Sequence, residues 1–99
     1  MFFDMENAER LGFVVASKYR KKILVKLLYG PLTPAQLCEE LSLLSEQVSR
    51  TLKELLGKRL ITCLNPKAKK GRLYTLTLQG KKIALKLSEE DDEYERKTF

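Results

Sequence analysis

The chain has no histidine, only two cysteines and five glycines, and no long unbroken apolar run. Without histidine there is no His-based triad, no imidazole general base and none of the common zinc sites. The cysteines, Cys38 and Cys63, lie far apart, and no secretory signal favours joining them in a disulfide. The glycines do not gather into a phosphate-cradling loop of the Walker or dinucleotide type. No stretch approaches the roughly 18 apolar residues of a membrane span. The first ten residues, MFFDMENAER, carry acids where a signal peptide needs a basic start. A cytoplasmic protein, not an enzyme and with no cofactor, is the expectation.

Its 99 residues suffice for one domain with a modest core. The net charge of +6 is unevenly placed. Residues 17–86 hold sixteen Lys or Arg against four Glu, a balance of +12, while residues 1–16 carry −2 and residues 87–99 carry −4. A basic middle between acidic ends suits a domain whose centre faces a polyanion. The basic residues are spread over several segments, which favours duplex DNA over a membrane surface.

The most informative run is TPAQLCEELSLLSEQVSRTLK at 33–53. Thr33 and Gln36 have the spacing of a capping box, and Pro34 sits at the first helical position, where a missing N–H costs nothing. The first helix covers 34–41, with Leu37, Cys38 and Leu41 on one side. Ser42 to Leu44 break it. Ser45 is the expected cap of a second helix reaching about residue 59, with Val48, Leu52, Leu55 and Leu56 as its apolar stripe. Helix pairs crossing over a short turn need a small residue at the crossing, a turn residue and apolar anchors. Cys38, Ser42 and the set Leu37, Leu41, Leu43 and Val48 fill those places. Ser42 stands where glycine is usual. A helical hairpin in a small bundle would use many of the same residues.

The segment after the second helix separates the two readings. Residues 60–64 and 72–77 have the aliphatic, Thr and Tyr content of strands. Asn65-Pro66 starts a turn between them and Gly71 ends it, with Lys67, Lys69 and Lys70 in the middle. A basic hairpin directly after the second helix is a wing, whose lysines can reach phosphates beside the groove that helix occupies. Leu32 is placed to add a short strand beside it. The predicted fold is mainly α with a small β-hairpin, a winged helix-turn-helix with added terminal helices. As one domain over 1–99 it divides into an N-terminal helix (1–16, capped by Asp4), the helix-turn-helix (33–59), the wing (60–77) and a C-terminal helix with an acidic tail (78–99).

The motifs SKYRKKIL, VSRTLKEL and GRLYTLTLQGKK, in this order across 16–84, resemble those of small archaeal winged-helix transcriptional regulators, which are similar to the ArsR and MarR families. The resemblance implies a DNA-binding regulator. It bears more on fold than on any particular set of target genes. Some ArsR-like sensors hold metal through a Cys-x-Cys pair in the first helix of the motif. Here QLCEEL puts Glu40 in the second position, and one thiolate is a poor site for a soft metal. Cys38 is explained by packing, and no metal is expected. The acidic run EEDDEYE lacks the turn glycine of a calcium loop and reads as a solvated tail.

The residues expected to face DNA are Ser45, Glu46, Gln47, Ser49, Arg50 and Lys53 on the second helix. Gln47 and Arg50 are assigned to base edges, since Gln suits adenine and Arg suits guanine. Ser45, Ser49 and Lys53 are assigned to phosphate, and Lys67, Lys69, Lys70 and Arg72 to the wing contact. Glu46 suits either a cytosine amine or the helix N-terminus. The terminal helices carry apolar residues on two sides. Leu11, Phe13 and Val14 at one end, and Leu78, Ile83, Leu85, Leu87 and Tyr94 at the other, are the expected homodimer contacts, one set closing the core and the other facing a second subunit. The rival reading is a winged-helix protein–protein adaptor, whose second helix would show an apolar or acidic outer face.

Overall fold

The computed structural model describes the backbone of residues 5–98 and the side-chain surroundings of residues 5–89. Helix α1 covers Met5–Val15 and α2 covers Lys18–Lys26, continued by a 3-10 turn, Leu27–Tyr29. Helices α3 (Pro34–Leu41) and α4 (Ser45–Gly57) form the helix-turn-helix. Strands β1 (Ile61–Cys63) and β2 (Tyr74–Leu76) make the hairpin, and α5 (Leu78–Thr98) closes the described chain. This is the expected winged helix-turn-helix. The expected cap at Asp4 lies outside the described residues.

Local chemistry explains most boundaries. Ser17 caps α2 by accepting from the Arg20 amide. Gly30, at φ 133°, ends the following turn in a conformation open to few other residues. The Thr33–Gln36 capping box forms in both directions, with bonds of 2.9 and 3.2 Å. Helix α3 ends at Ser42, which takes the left-handed conformation (φ 55°) while the Leu43 amide reaches back to the Cys38 carbonyl at 3.0 Å.

Two expected boundaries move. Leu44, not Ser45, is the extended residue before α4, and Ser45 is already helical. The side chain of Gln47 reaches back to accept the Leu44 amide at 3.0 Å, so Gln47 rather than a serine hydroxyl secures the helix start. At its other end α4 stops at Gly57 rather than 59. Arg59 is left-handed (φ 58°), and the Leu60 amide bonds to the Leu55 carbonyl, closing the helix early.

The core is one cluster. Val14 from α1, Ile23, Leu24 and Leu27 from the α2 region, Leu37 from α3, and Val48, Leu52 and Leu55 from α4 meet Leu60, Ile61, Tyr74, Ile83, Ala84 and Leu87. Helix α2 is the hub, packed against α1, α3, α4 and α5. The strands pair antiparallel with Thr62 opposite Thr75. Leu32 adds the expected short pairing beside the wing, bridging to Tyr74 through two backbone bonds. The strands are shorter than their composition implied, because the Asn65 side chain takes over pairing at the wing base: its Oδ1 accepts the Leu73 amide at 2.7 Å.

Thr77 joins the wing to both flanking helices. Its hydroxyl donates to the Arg59 carbonyl at 2.7 Å and accepts the Gly80 amide at 3.1 Å, while its own amide bonds to the Leu60 carbonyl. The first turn of α5 therefore lies directly on the backbone after α4. Gly80 permits this approach, since a Cβ there would collide with the Leu60 carbonyl oxygen.

Candidate nucleic-acid interface

Helix α4 buries Val48, Thr51, Leu52 and Leu55 and turns the opposite side outward. Ser45, Glu46, Ser49, Arg50 and Lys53 are all exposed there. The outer face is polar and carries two cations, with Glu46 in the first turn where the helix dipole favours an anion.

Gln47 is placed differently from the expectation. Besides accepting the Leu44 amide, its Nε2 donates to the Tyr19 hydroxyl of α2 at 2.9 Å. Both ends of its side-chain amide are engaged within the protein. In this arrangement Gln47 holds the first turn of α4 in place.

A second tie lies further along the helix. Arg20 of α2 meets Glu54 of α4 at 3.1 Å. The same guanidinium donates to the Phe13 carbonyl at 2.8 Å and stacks over the Phe13 ring, 3.9 Å from its centroid. Lys58 approaches that ring at 5.2 Å. Arg20 is thus a joint between α1, α2 and α4. Lys26 pairs with Glu40 at 3.0 Å and ties α2 to α3. Nothing in the sequence marks Tyr19, Arg20 and Glu54 as positioning residues. Their partners are up to 34 positions away, and no local pattern announces such contacts.

The wing is braced at its base and basic at its tip. Asn65 accepts from the Leu73 amide, donates to the Gly71 carbonyl at 3.1 Å and receives the Ala68 amide on its backbone oxygen at 2.9 Å. Gly71 is left-handed (φ 65°), as the end of this turn requires. Lys67, Lys69, Lys70 and Arg72 are all exposed. Arg72 also folds back, its Nε donating to the Ala68 carbonyl at 2.8 Å, so it both stiffens the loop and presents charge. The sequence marks Asn65 only as a turn former; its side chain organises the whole loop.

The expected dimer residues separate into three groups. Val14, Ile83 and Leu87 are buried in the protomer's own core. Of the two apolar faces, these residues belong to the one that closes the core. Leu11 and Phe13 are partly buried against that core, and Phe13 lies under Arg20 and Lys58. Leu78 and Leu85 are exposed, at 68% and 45%, and Met5 and Val15 of α1 are exposed too. Tyr94 lies outside the residues whose side chains are described.

Cys38 is half-buried against the core, as a small packing residue should be, and Cys63 lies 3.5 Å from the Asn65 Oδ1. Both thiols are free. Among the described residues no helix is long and apolar enough to cross a membrane.

No family model matches the sequence, and no curated protein matches it. Solved structures do. One is a MarR family regulator from Neisseria meningitidis, at 28% identity and a TM-score of 0.77, covering 92% of this chain and 66% of that one. Another is wild type MarR from E. coli in its apo form, at 27% identity and 0.67, covering 87% and 65%. The fold is that of the MarR-type winged helix. A third similar structure, Lactococcus lactis ZitR in complex with DNA, has 22% identity and a TM-score of 0.69, covering 76% and 52%. The chain therefore spans between about half and two thirds of the length of these structures. The MarR side of the sequence resemblance is the side they support. The structures it resembles are regulators, not enzymes.

Proposed function

We propose that the chain is a DNA-binding transcriptional regulator that lays α4 in the major groove and its wing on the neighbouring backbone. The observation carrying this reading is the outer face of α4. Arg50 and Lys53 stand exposed on it, followed in the chain by a braced hairpin whose tip holds Lys67, Lys69 and Lys70. An adaptor helix would present an apolar or acidic face there. The likeness to ZitR, whose structure contains DNA, supports the same use of the fold.

Within this reading Arg50 contacts a base edge, where its fork matches guanine O6 and N7. Ser45, Ser49 and Lys53 contact phosphate, as do the wing cations. Glu46 either accepts from a cytosine amine or only stabilises the helix start. A homodimer presents two such helices to a two-fold-related site, roughly 34 Å apart. Exposed Leu78 and Leu85 on α5, with Met5 and Val15 on α1, supply apolar surface for the subunit contact.

Selection of bound sequences from a random duplex pool tests the proposal. An enriched inverted repeat is the expected result. Affinity for it should fall steeply with salt: with on the order of eight phosphates neutralised by a dimer, log K against log salt should slope at roughly −7. Absence of duplex binding at low salt would remove the reading.

A further inference from the structure

A groove of about 470 Å³ runs along the outward side of α2 toward the end of α3. Its floor is apolar, made by Val25, Tyr29 and Leu41, and its rim includes Lys18, Lys22 and Lys26. These α2 positions lie across the helix from Ile23, Leu24 and Leu27, which enter the core. Tyr29 is 80% exposed, a large aromatic side chain left in water at the end of the groove. Lys26 is partly neutralised by Glu40, but Lys18 and Lys22 are exposed.

This surface does not suit a DNA backbone. Phosphate could use the lysines and the Tyr29 hydroxyl, but it gains nothing from the aliphatic surface of Val25 and Leu41. An apolar floor with a cationic rim fits an acidic peptide that carries an apolar anchor, since each part of the surface then has a partner. The chain itself contains such a peptide. Residues 88–95 read SEEDDEYE, six acids around Tyr94 with no basic residue among them. The segment continues α5, whose Ile83, Ala84 and Leu87 enter the core on the opposite side of α2 from the groove. To reach its own groove it would have to double back around α2. A second molecule meets no such constraint.

We propose that the acidic C-terminal segment of one copy docks in the α2–α3 groove of another, its carboxylates on the lysine rim and Tyr94 on the apolar floor. The contact is separate from the DNA face on α4, and its chemistry does not depend on DNA.

The test uses a fluorescently labelled synthetic peptide of residues 87–99, titrated into the 99-residue chain held dilute enough to limit competition from its own tails. Saturable binding is expected, weakening on the order of tenfold between low and physiological salt. The Lys18→Glu/Lys22→Glu double variant should reduce affinity at least tenfold, and Tyr29→Ala severalfold. All of these positions are at the surface, and circular dichroism checks that the variants fold. A peptide with Tyr94→Ala, and one with its acids replaced by amides, should each bind more weakly. Loss of binding on Arg50→Ala and Lys69→Ala, with no response to the α2 changes, would mean that the tail sits on the DNA face and would overturn the proposal. So would no binding at several hundred micromolar peptide. Binding that depends on charge but ignores both Tyr29 and Tyr94 would also overturn it, since the groove would then contribute nothing beyond its lysines.

Discussion

Arg50 is exposed near the middle of the outer face of α4, one turn beyond the helix start, where a major-groove helix brings a long side chain to base edges. Arg50→Ala should cost about 1–3 kcal/mol per half-site and flatten preference at one base position of each half-site, measured by titrating matched and mismatched duplexes. Gly80 makes a different kind of residue-scale claim. Any Cβ there meets the backbone of Leu60, which cannot rotate away as a side chain can. Gly80→Ala should lower unfolding free energy by about 1–3 kcal/mol, as overpacking does, and chemical denaturation would read it directly. An unchanged midpoint would mean that α5 does not lie so close to the end of α4. Ser42 lies on the favourable side of the same physics. Its left-handed conformation is one that glycine adopts without a Cβ penalty, so Ser42→Gly should stabilise by a few tenths to about 1 kcal/mol.

At the scale of elements, the wing and the recognition helix divide the labour. The Asn65 bonds hold the loop base, while Lys69 and Lys70 are exposed at its tip. Lys69→Ala and Lys70→Ala should weaken all duplexes alike, each reducing the salt slope by about two, since a dimer loses one contact from each subunit, with no change in sequence preference. A change in preference from either would show that the wing reads bases. The orientation of α4 depends on α2, through Tyr19–Gln47 near one end and Arg20–Glu54 further along. Arg20 also bonds to the Phe13 carbonyl, so one side chain contacts both α1 and α4.

For the whole molecule, the question is which apolar surface remains after the core has formed. Ile83 and Leu87 are used up internally, and Leu78 and Leu85 are not. Leu78→Glu with Leu85→Glu should convert a dimer to a monomer of intact helical content, seen by sedimentation and circular dichroism. Leu87→Glu should instead unfold the protein, because it places a charge in the core. If the double variant keeps the dimer, the subunit contact lies elsewhere. If the unaltered protein is a monomer at tens of micromolar, there is no stable dimer to explain.

The sequence by itself determined the element order, the helix-turn-helix and the wing. Those features follow from local signals: the Thr33–Gln36 box with Pro34, the apolar period of α4, the Asn65-Pro66 turn and Gly71. It also placed the exposed cations Arg50, Lys53, Lys67, Lys69 and Lys70, since a residue opposite an apolar stripe, or in a charged loop, faces water whatever the stripe packs on. Only the tertiary structure decided which polar residues are already engaged. On a helical wheel Gln47 is only an outward polar residue, and its bond to Tyr19, 28 residues away, is what ties it to α2. The same holds for the two-sided terminal helices. Periodicity shows two apolar faces on α5, but which one closes the core depends on where α2 lies, and that is fixed by packing over long sequence distances rather than by any local pattern.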